Sequence, residues 1–473
     1  MTKKLNNIPQ HKNVGITPDT PEAGYNKIYA KDDGIWYGLD ELGVETPLGA
    51  SAISVDGITI TGDGTPGDPL ATTFDIPPYW LEYNESDKTV WNNGNGDVTT
   101  NTSYGQLALR VNTTGSSNIA VGGSALTSNT IGSNNTAVGY FALHSNTTGT
   151  NLTAVGKNAL SGNTSGSQNT AFGNSALSSN TIGNENTALG NLALQSSTGN
   201  YNTAVGSQAL LSNTADNNTA VGAYAMLLNT SGIENVALGG LVLYNNTTGI
   251  TNVGVGSATL FSNTTGFGNV GVGYSALYNN TTGGYNTAIG ISALTNNTTG
   301  YDNTAVGTSA LSNNTIGTNN CAIGKNALIN NDDGNNNVAV GTSSLSANTS
   351  GATNTVIGYD AMGKNESGSN NTAIGPGALG SNVTGDLNIA LGDSALHSSD
   401  GTRNIGIGND TVSYNFNDTI LIGTNVVATA DNQFAIGSVT NNAGSITTES
   451  ITPDKTWTIR INGVNYKIPL LTA

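Results

Sequence analysis

The side chains that could do chemistry are few and widely spaced. His11, His144 and His397 are the three histidines, and the last two fall in the same position of two distant copies of a repeat. Carboxylates of the repeat region, such as Glu185, Glu234, Asp302, Asp360 and Asp393, stand singly among turn residues, and Asp332-Asp333 is its adjacent pair. Degrading a polysaccharide by acid–base chemistry needs two carboxyl groups facing each other across a groove. No spacing here supplies them, so the chain is expected not to be an enzyme and to need no metal or cofactor. Cys321, the single cysteine, rules out an intrachain disulfide and sits in a slot that neighbouring copies fill with Thr or Val, where it reads as a small packing residue. The aromatic residues carry more pattern. Tyr244, Phe261 and Tyr278 take the same slot in three successive copies. Their rings are expected to stack in a column that could hold a sugar or brace neighbouring strands; Tyr274, Tyr285 and Tyr301 lie nearby in sequence.

What positions these residues is the repeat N-T-A-V-G-x-x-A-L-x-x-N-T-T-G-x-x. Its anchor glycines Gly122, Gly139, Gly156, Gly173 and Gly190 are 17 residues apart, and the series runs on through Gly206 to Gly392, Gly408, Gly423 and Gly437, with Gly105 as a degenerate first copy. Steps of 16, as from Gly190 to Gly206, lose their residue in the N-T-T-G segment, as a turn allows. The residue before each anchor is apolar (Val121, Val138, Phe172, Leu189), and four residues after it stands Leu126, Leu143 or Leu160. These two slots are the expected core stripe. One unit of 17 residues cannot enclose them, so stability has to come from stacking copy on copy.

Period-2 alternation in N-T-A-V-G, with no 3.6-residue periodicity, predicts an all-β parallel solenoid of about twenty coils over residues 98–437. Two short strands per coil are expected, N-T-A-V-G and x-A-L. Thr and Val should share one face and Ala and Gly the other, where a second backbone could approach closely; a threefold assembly around that small face is the expectation. At about 4.8 Å per coil the shaft would be on the order of 100 Å long.

Composition fits stacked rungs. Only 10% of residues are charged, and Asn and Thr, which dominate instead, can hydrogen-bond to their own copies above and below where like charges would repel. A net charge of −17 excludes nucleic acid and anionic membrane as partners, since both demand basic patches. No run of 18 apolar residues predicts membrane insertion, and the polar start Met1-Thr2-Lys3-Lys4 is expected not to be a signal peptide. Asn-x-Thr triplets such as Asn146-Thr147-Thr148 and Asn280-Thr281-Thr282 read as ladder residues rather than glycan acceptors.

Different patterns bracket the repeat. Residues 1–50 hold a polar arm and a small β module in which Lys27–Lys31 and Ile35–Leu39 flank an Asp-Gly turn. Residues 51–97 form a Gly- and Pro-punctuated β connector whose Asp-Gly runs lack calcium-loop spacing. In residues 438–473, Thr456–Ile461, Asn462-Gly463 and Val464–Leu470 read as a hairpin that caps the solenoid or forms its tip.

Two resemblances attach to these residues. K-I-Y-A-K-D-D-G-I-W-Y followed by G-V-E-T-P-L-G, over residues 24–49, resembles the opening module of phage tail-fibre and appendage proteins. That resemblance implies docking on a virion tail or capsid protein, with Tyr29, Trp36 and Tyr37 as candidate docking residues. The N-T-A-V-G-x-x-A-L copies resemble the head repeats of trimeric autotransporter adhesins, which implies a homotrimeric parallel β-roll; those heads repeat in about 14 residues, so 17 implies a longer turn. The expected function is that of a virion tail fibre or appendage, made in the host cytoplasm, that attaches to a cell-surface glycan or protein. Tyr244, Phe261, Tyr278, Trp457 and Tyr466 are its candidate receptor residues. A bacterial surface trimeric adhesin is the alternative. An ice-binding solenoid is a third, weakened because the slot holding Ile131, Thr148, Ser165 and Ile182 is irregular.

Overall fold

The computed structural model describes residues 100–437 throughout and, outside them, the backbone of short strands alone. Those comprise an antiparallel sheet of β1 (Lys27–Ala30), β2 (Trp36–Leu39) and β3 (Glu45–Pro47), a second of β4 (Ile53–Val55), β5 (Ile58–Thr61) and β6 (Ala71–Phe74), and the two-residue β7 (Trp91–Asn92). Near the end of the chain, β29 (Lys455–Ile461) and β30 (Val464–Leu470) pair as the expected hairpin.

Residues 100–437 form a parallel β-solenoid. Its 21 strands run from β8 (Thr102–Tyr104) to β28 (Phe434–Ile436), one per coil, with about 17 residues from each to the next. Register is strict: Thr136 faces Thr153, Ala137 faces Ala154 and Val138 faces Val155, and every later pair keeps the same alignment. No helix occurs among the described residues.

The x-A-L segment is not a second strand. Each Leu there lies in the left-handed region, at φ 50° for Leu126, 51° for Leu143 and 50° for Leu294. That backbone turns instead of extending, and costs a bulky L-residue roughly 1–2 kcal/mol. Complete burial of the side chain, 0% exposed in all three cases, is worth about 1.5–3 kcal/mol and offsets the strain. The turn is also tied to its successor, for Leu143 N donates to Ala159 O at 3.0 Å.

The core differs from expectation as well. It is built from the central Ala of each strand with the Ala-Leu pair of each turn, for example Ala137, Ala142 and Leu143. The residue before the anchor points outward: Val138, Phe172, Leu189 and Ile289 are exposed, and strands alternate exposed or half-buried, buried, exposed or half-buried. The small Ala and Gly side is closed by the chain itself. Anchor glycines stack directly, so that a Cβ on Gly139 would lie 2.4 Å from Gly156 O, and with φ +141° only glycine fits.

Two buried asparagine ladders replace what a larger core would supply. The N-T-T-G asparagines pass hydrogen bonds coil to coil, Asn146 Nδ2 donating to Asn129 Oδ1 at 2.9 Å and Asn163 Nδ2 to Asn146 Oδ1 at 2.8 Å. Each also donates to the turn glycine carbonyl three residues on, as Asn146 does to Gly149 O at 3.1 Å. Strand-leading asparagines do the converse: Asn118 Oδ1 accepts from Asn135 N at 3.0 Å while Asn118 Nδ2 donates to Gly132 O at 2.8 Å. Buried amides are stable only when so satisfied. Two of the unpartnered buried polar atoms, Ser197 Oγ and Asn382 Oδ1, sit at breaks in the turn ladder, where Ser197 and Ser399 occupy the asparagine slot.

Candidate binding surfaces

The predicted aromatic column forms. Tyr244 and Phe261 stack with centroids 5.1 Å apart and planes 13° apart; Phe261 and Tyr278 do so at 5.0 Å and 5°. This is the coil-to-coil spacing, so strand register alone sets the rings face to face. The stacking covers both faces of Phe261 and one face of each tyrosine, and the column braces the turns beside Leu243, Leu260 and Leu277.

A second aromatic group lies at the turn that leads into the strand. Phe267 meets Tyr285 edge to face at 4.9 Å and 85°, and Tyr301 lies 6.4 Å away at 53°. Among the described residues no ring contact joins this corner to the column. The sequence reading noted Tyr285 and Tyr301 but missed Phe267 and the reason these rings fit: the slots beneath them hold Gly268 and Gly284. Glycine in two slots that other copies fill with Asn134, Gln168, Ser133 or Ser167 was the available signal.

The remaining candidates stay apart. His144 packs on Phe141 at 4.4 Å, next to Tyr140, with Nδ1 unpartnered; His397 Nδ1 contacts Ser394 O at 3.0 Å. Asp332 and Asp333 are exposed turn residues, and Asp332 O accepts from Thr315 N at 3.0 Å. Asp400 Oδ1 accepts from Val383 N and Thr384 N at 2.8 and 2.7 Å, which makes it a turn cap. Among the described residues no three His, Cys, Asp or Glu side chains gather as a metal site, and no helix is long and apolar enough to cross a membrane. Asn146 and Asn280 are buried in the ladder. Cys321 is half-buried on the outward side of its strand, and burial raises its thiol pKa above the ordinary value.

Register sets Tyr29 opposite Tyr37 and Ala30 opposite Trp36, and in the hairpin Trp457 opposite Ile468 and Tyr466 opposite Ile459. The side chains of Tyr29, Trp36, Tyr37, Trp457 and Tyr466 lie outside the described residues.

The outward side of the strands forms a continuous surface. One row runs Thr136, Thr153, Thr170, Thr187, Thr203, Thr219 and a second, two residues on, runs Val138, Val155, Phe172, Leu189, Val205, Val221; both continue along the solenoid, and no outward strand position is charged. Compared with known protein families and with curated proteins, the chain matches none.

Proposed function

We propose that the protein is a non-enzymatic, homotrimeric appendage of a phage virion, with the solenoid as its shaft, that mediates attachment to a host cell. The observation that carries the reading is the uncharged strand face. About 100 Å long and about 10 Å wide, it amounts to an area on the order of 1,000 Å², enough for a stable interface. Copies of the chain are its fitting cover, because the rows repeat in strict register and present the same side chains to one another. The number three comes from the resemblance to trimeric β-roll heads, and the virion from the resemblance of residues 24–49 to phage appendage modules. In this reading the face between copies is the Val and Thr side, not the Ala and Gly side that the alternation first favoured.

Sedimentation of the purified chain tests the assembly. A trimer is expected, with the Cys321 thiol slow toward a maleimide until denaturant is added; a monomer with a fast thiol removes the reading. Competition tests attachment, since excess purified protein should reduce virion adsorption to the host. The regular Thr row from Thr136 to Thr219 favours one other use of this face, an ordered water layer against ice. Thermal hysteresis of a monomeric chain would support that use, and a trimer without hysteresis would dismiss it.

A further inference from the structure

Two aromatic arrangements in the same coils use their rings in opposite ways. In the column of Tyr244, Phe261 and Tyr278 both faces of Phe261 and one face of each tyrosine are taken up by mutual stacking. At the corner, Tyr285 stands edge to face with Phe267 at 85°, so a ring face remains available: Tyr285 is 60% exposed and Tyr301 37%.

These exposed rings are seated, not loose. A Cβ on Gly268 would lie 2.9 Å from the Tyr285 ring, and a Cβ on Gly284 3.1 Å from the Phe267 ring. The rings thus lie over the two glycine backbones, one from each side of the coil boundary. In coils without this group the first of these turn slots bonds along the solenoid, as Thr318 N does to Asn335 Oδ1 at 2.7 Å. Over two coils the sequence exchanges those polar side chains for fixed rings with an open face.

The surroundings narrow the occupant. Asp302 follows Tyr285 in the same slot of the next coil, Thr251 precedes Gly268, and Glu234 lies one coil further back; all three are exposed. A sugar has an apolar C–H face for the ring and hydroxyls that a carboxylate can accept. Anionic sugars are disfavoured by Asp302, Glu234 and the net charge of −17. A protein partner would need roughly 800 Å² on this side, more than three rings of about 150–250 Å² each supply.

We propose that Phe267, Tyr285 and Tyr301 form a platform for a neutral saccharide, one sugar ring lying on the open face of Tyr285 with a hydroxyl donated to the Asp302 carboxylate. The site deepens the attachment reading, on which it rests only for its biological use.

The test takes the full chain in its native assembly. Affinity gels and saturation-transfer NMR are run with dextran, galactomannan and glucomannan as neutral probes and polygalacturonate as the anionic one. At least one neutral probe is expected to bind and polygalacturonate not to bind. Tyr285→Ala should weaken binding by about tenfold or more, Tyr285→Phe should retain it, and replacing the exposed ring of Tyr359 in a distant coil by Ala should leave it unchanged; circular dichroism melting checks that each variant folds. Failure of all three neutral probes, or binding that persists in a folded Tyr285→Ala, Tyr301→Ala double variant, overturns the site. Neutral-glycan binding by a protein that does not compete for adsorption would sink the attachment reading and leave the site standing.

Discussion

Coils around β16 (Val236–Leu238) to β18 (Val270–Val272) and coils around β19 (Thr287–Ile289) to β22 (Val338–Val340) share one backbone and register yet fill it differently. The second group keeps the consensus in its first three coils, with Ala288, Ala305 and Ala322 inside the strands, Ala293, Ala310 and Ala327 in the turns, and a surface amide ladder through Asn296, Asn313 and Asn330, into which Asn279 of the preceding coil donates, at 2.9–3.1 Å. The first group puts Val242 and Thr259 in the turn and withdraws volume from the facing strand. A Cβ on Gly254 would lie 2.4 Å from Val242 Cγ1, and one on Gly271 would lie 2.6 Å from Thr259 Cγ2. The core therefore conserves volume across a coil boundary rather than at each position, as close packing requires. The same coils carry the aromatic column, and the corner, which starts there at Phe267 and Tyr285 and reaches Tyr301 in the coil after β19, repeats the exchange on the outside with glycine against the Phe267 and Tyr285 rings.

Truncating the shared turn leucine should be the largest effect and should not distinguish the two groups. Leu260→Ala and Leu311→Ala are each expected to cost about 2–5 kcal/mol, read as faster hydrogen exchange in the adjoining coils, because a repeat array opens locally. A cost well under 1 kcal/mol in either would mean that the two cores do not carry the same load.

The next effect should separate the groups. Gly254→Ala is expected to destabilise by roughly 1–3 kcal/mol through overpacking against Val242. Adding Val242→Ala should recover much of that loss, a coupling of about 0.5–3 kcal/mol in urea midpoints or exchange rates. At the consensus site Ala305→Gly should cost only about 1 kcal/mol and show no such rescue. Additive losses at residues 242 and 254 would refute the shared-volume account.

Breaking the buried amide ladder should again act alike in both groups, since it runs through both. Asn263→Ala and Asn314→Ala each leave a neighbouring carboxamide short of a partner, at about 1–3 kcal/mol. The naturally broken positions Ser197 and Ser399 set the internal standard.

The smallest effect lies outside both groups, at Arg403 and Asp418, whose Nε and Oδ1 atoms are 2.6 Å apart. The hydrogen bond from Arg403, followed by its charge, lowers the Asp418 pKa below the ordinary carboxylate value, and the same bond raises that of Arg403. A depressed folded pKa contributes stability that is present above the unfolded carboxylate value and lost as pH falls through the folded one. The pair is exposed, so only a slight acid weakening of the last coils is expected, and Asp418→Asn should abolish it in exchange rates measured at pH 7 and pH 3.

Much of this architecture was legible. The glycine series fixed the coil length, the recurrent Leu, with Met226, Met362 and Val412 among its variants, marked a buried slot, Asn in most copies implied ladders, and identical slots for Tyr244, Phe261 and Tyr278 implied stacking. Two features were not legible for physical reasons. Alternation in T-A-V separates two faces without saying which is inside, and the larger Val looked like core although Ala is the residue that fits beneath the turn. A left-handed Leu has no sequence signature, because its preference is overridden by burial that only the stacked coils provide.

By itself, then, the sequence determined a parallel stack with a 17-residue step, an almost chargeless ladder chemistry and a run of coils set apart by aromatic residues, because each of these follows from residue type and spacing. Only the tertiary structure decided that each coil has one strand, that Val faces outward, and that Phe267 and Tyr285 share a corner over Gly284 and Gly268. Those outcomes depend on the volume left between neighbouring coils, and that space exists only once the coils are stacked.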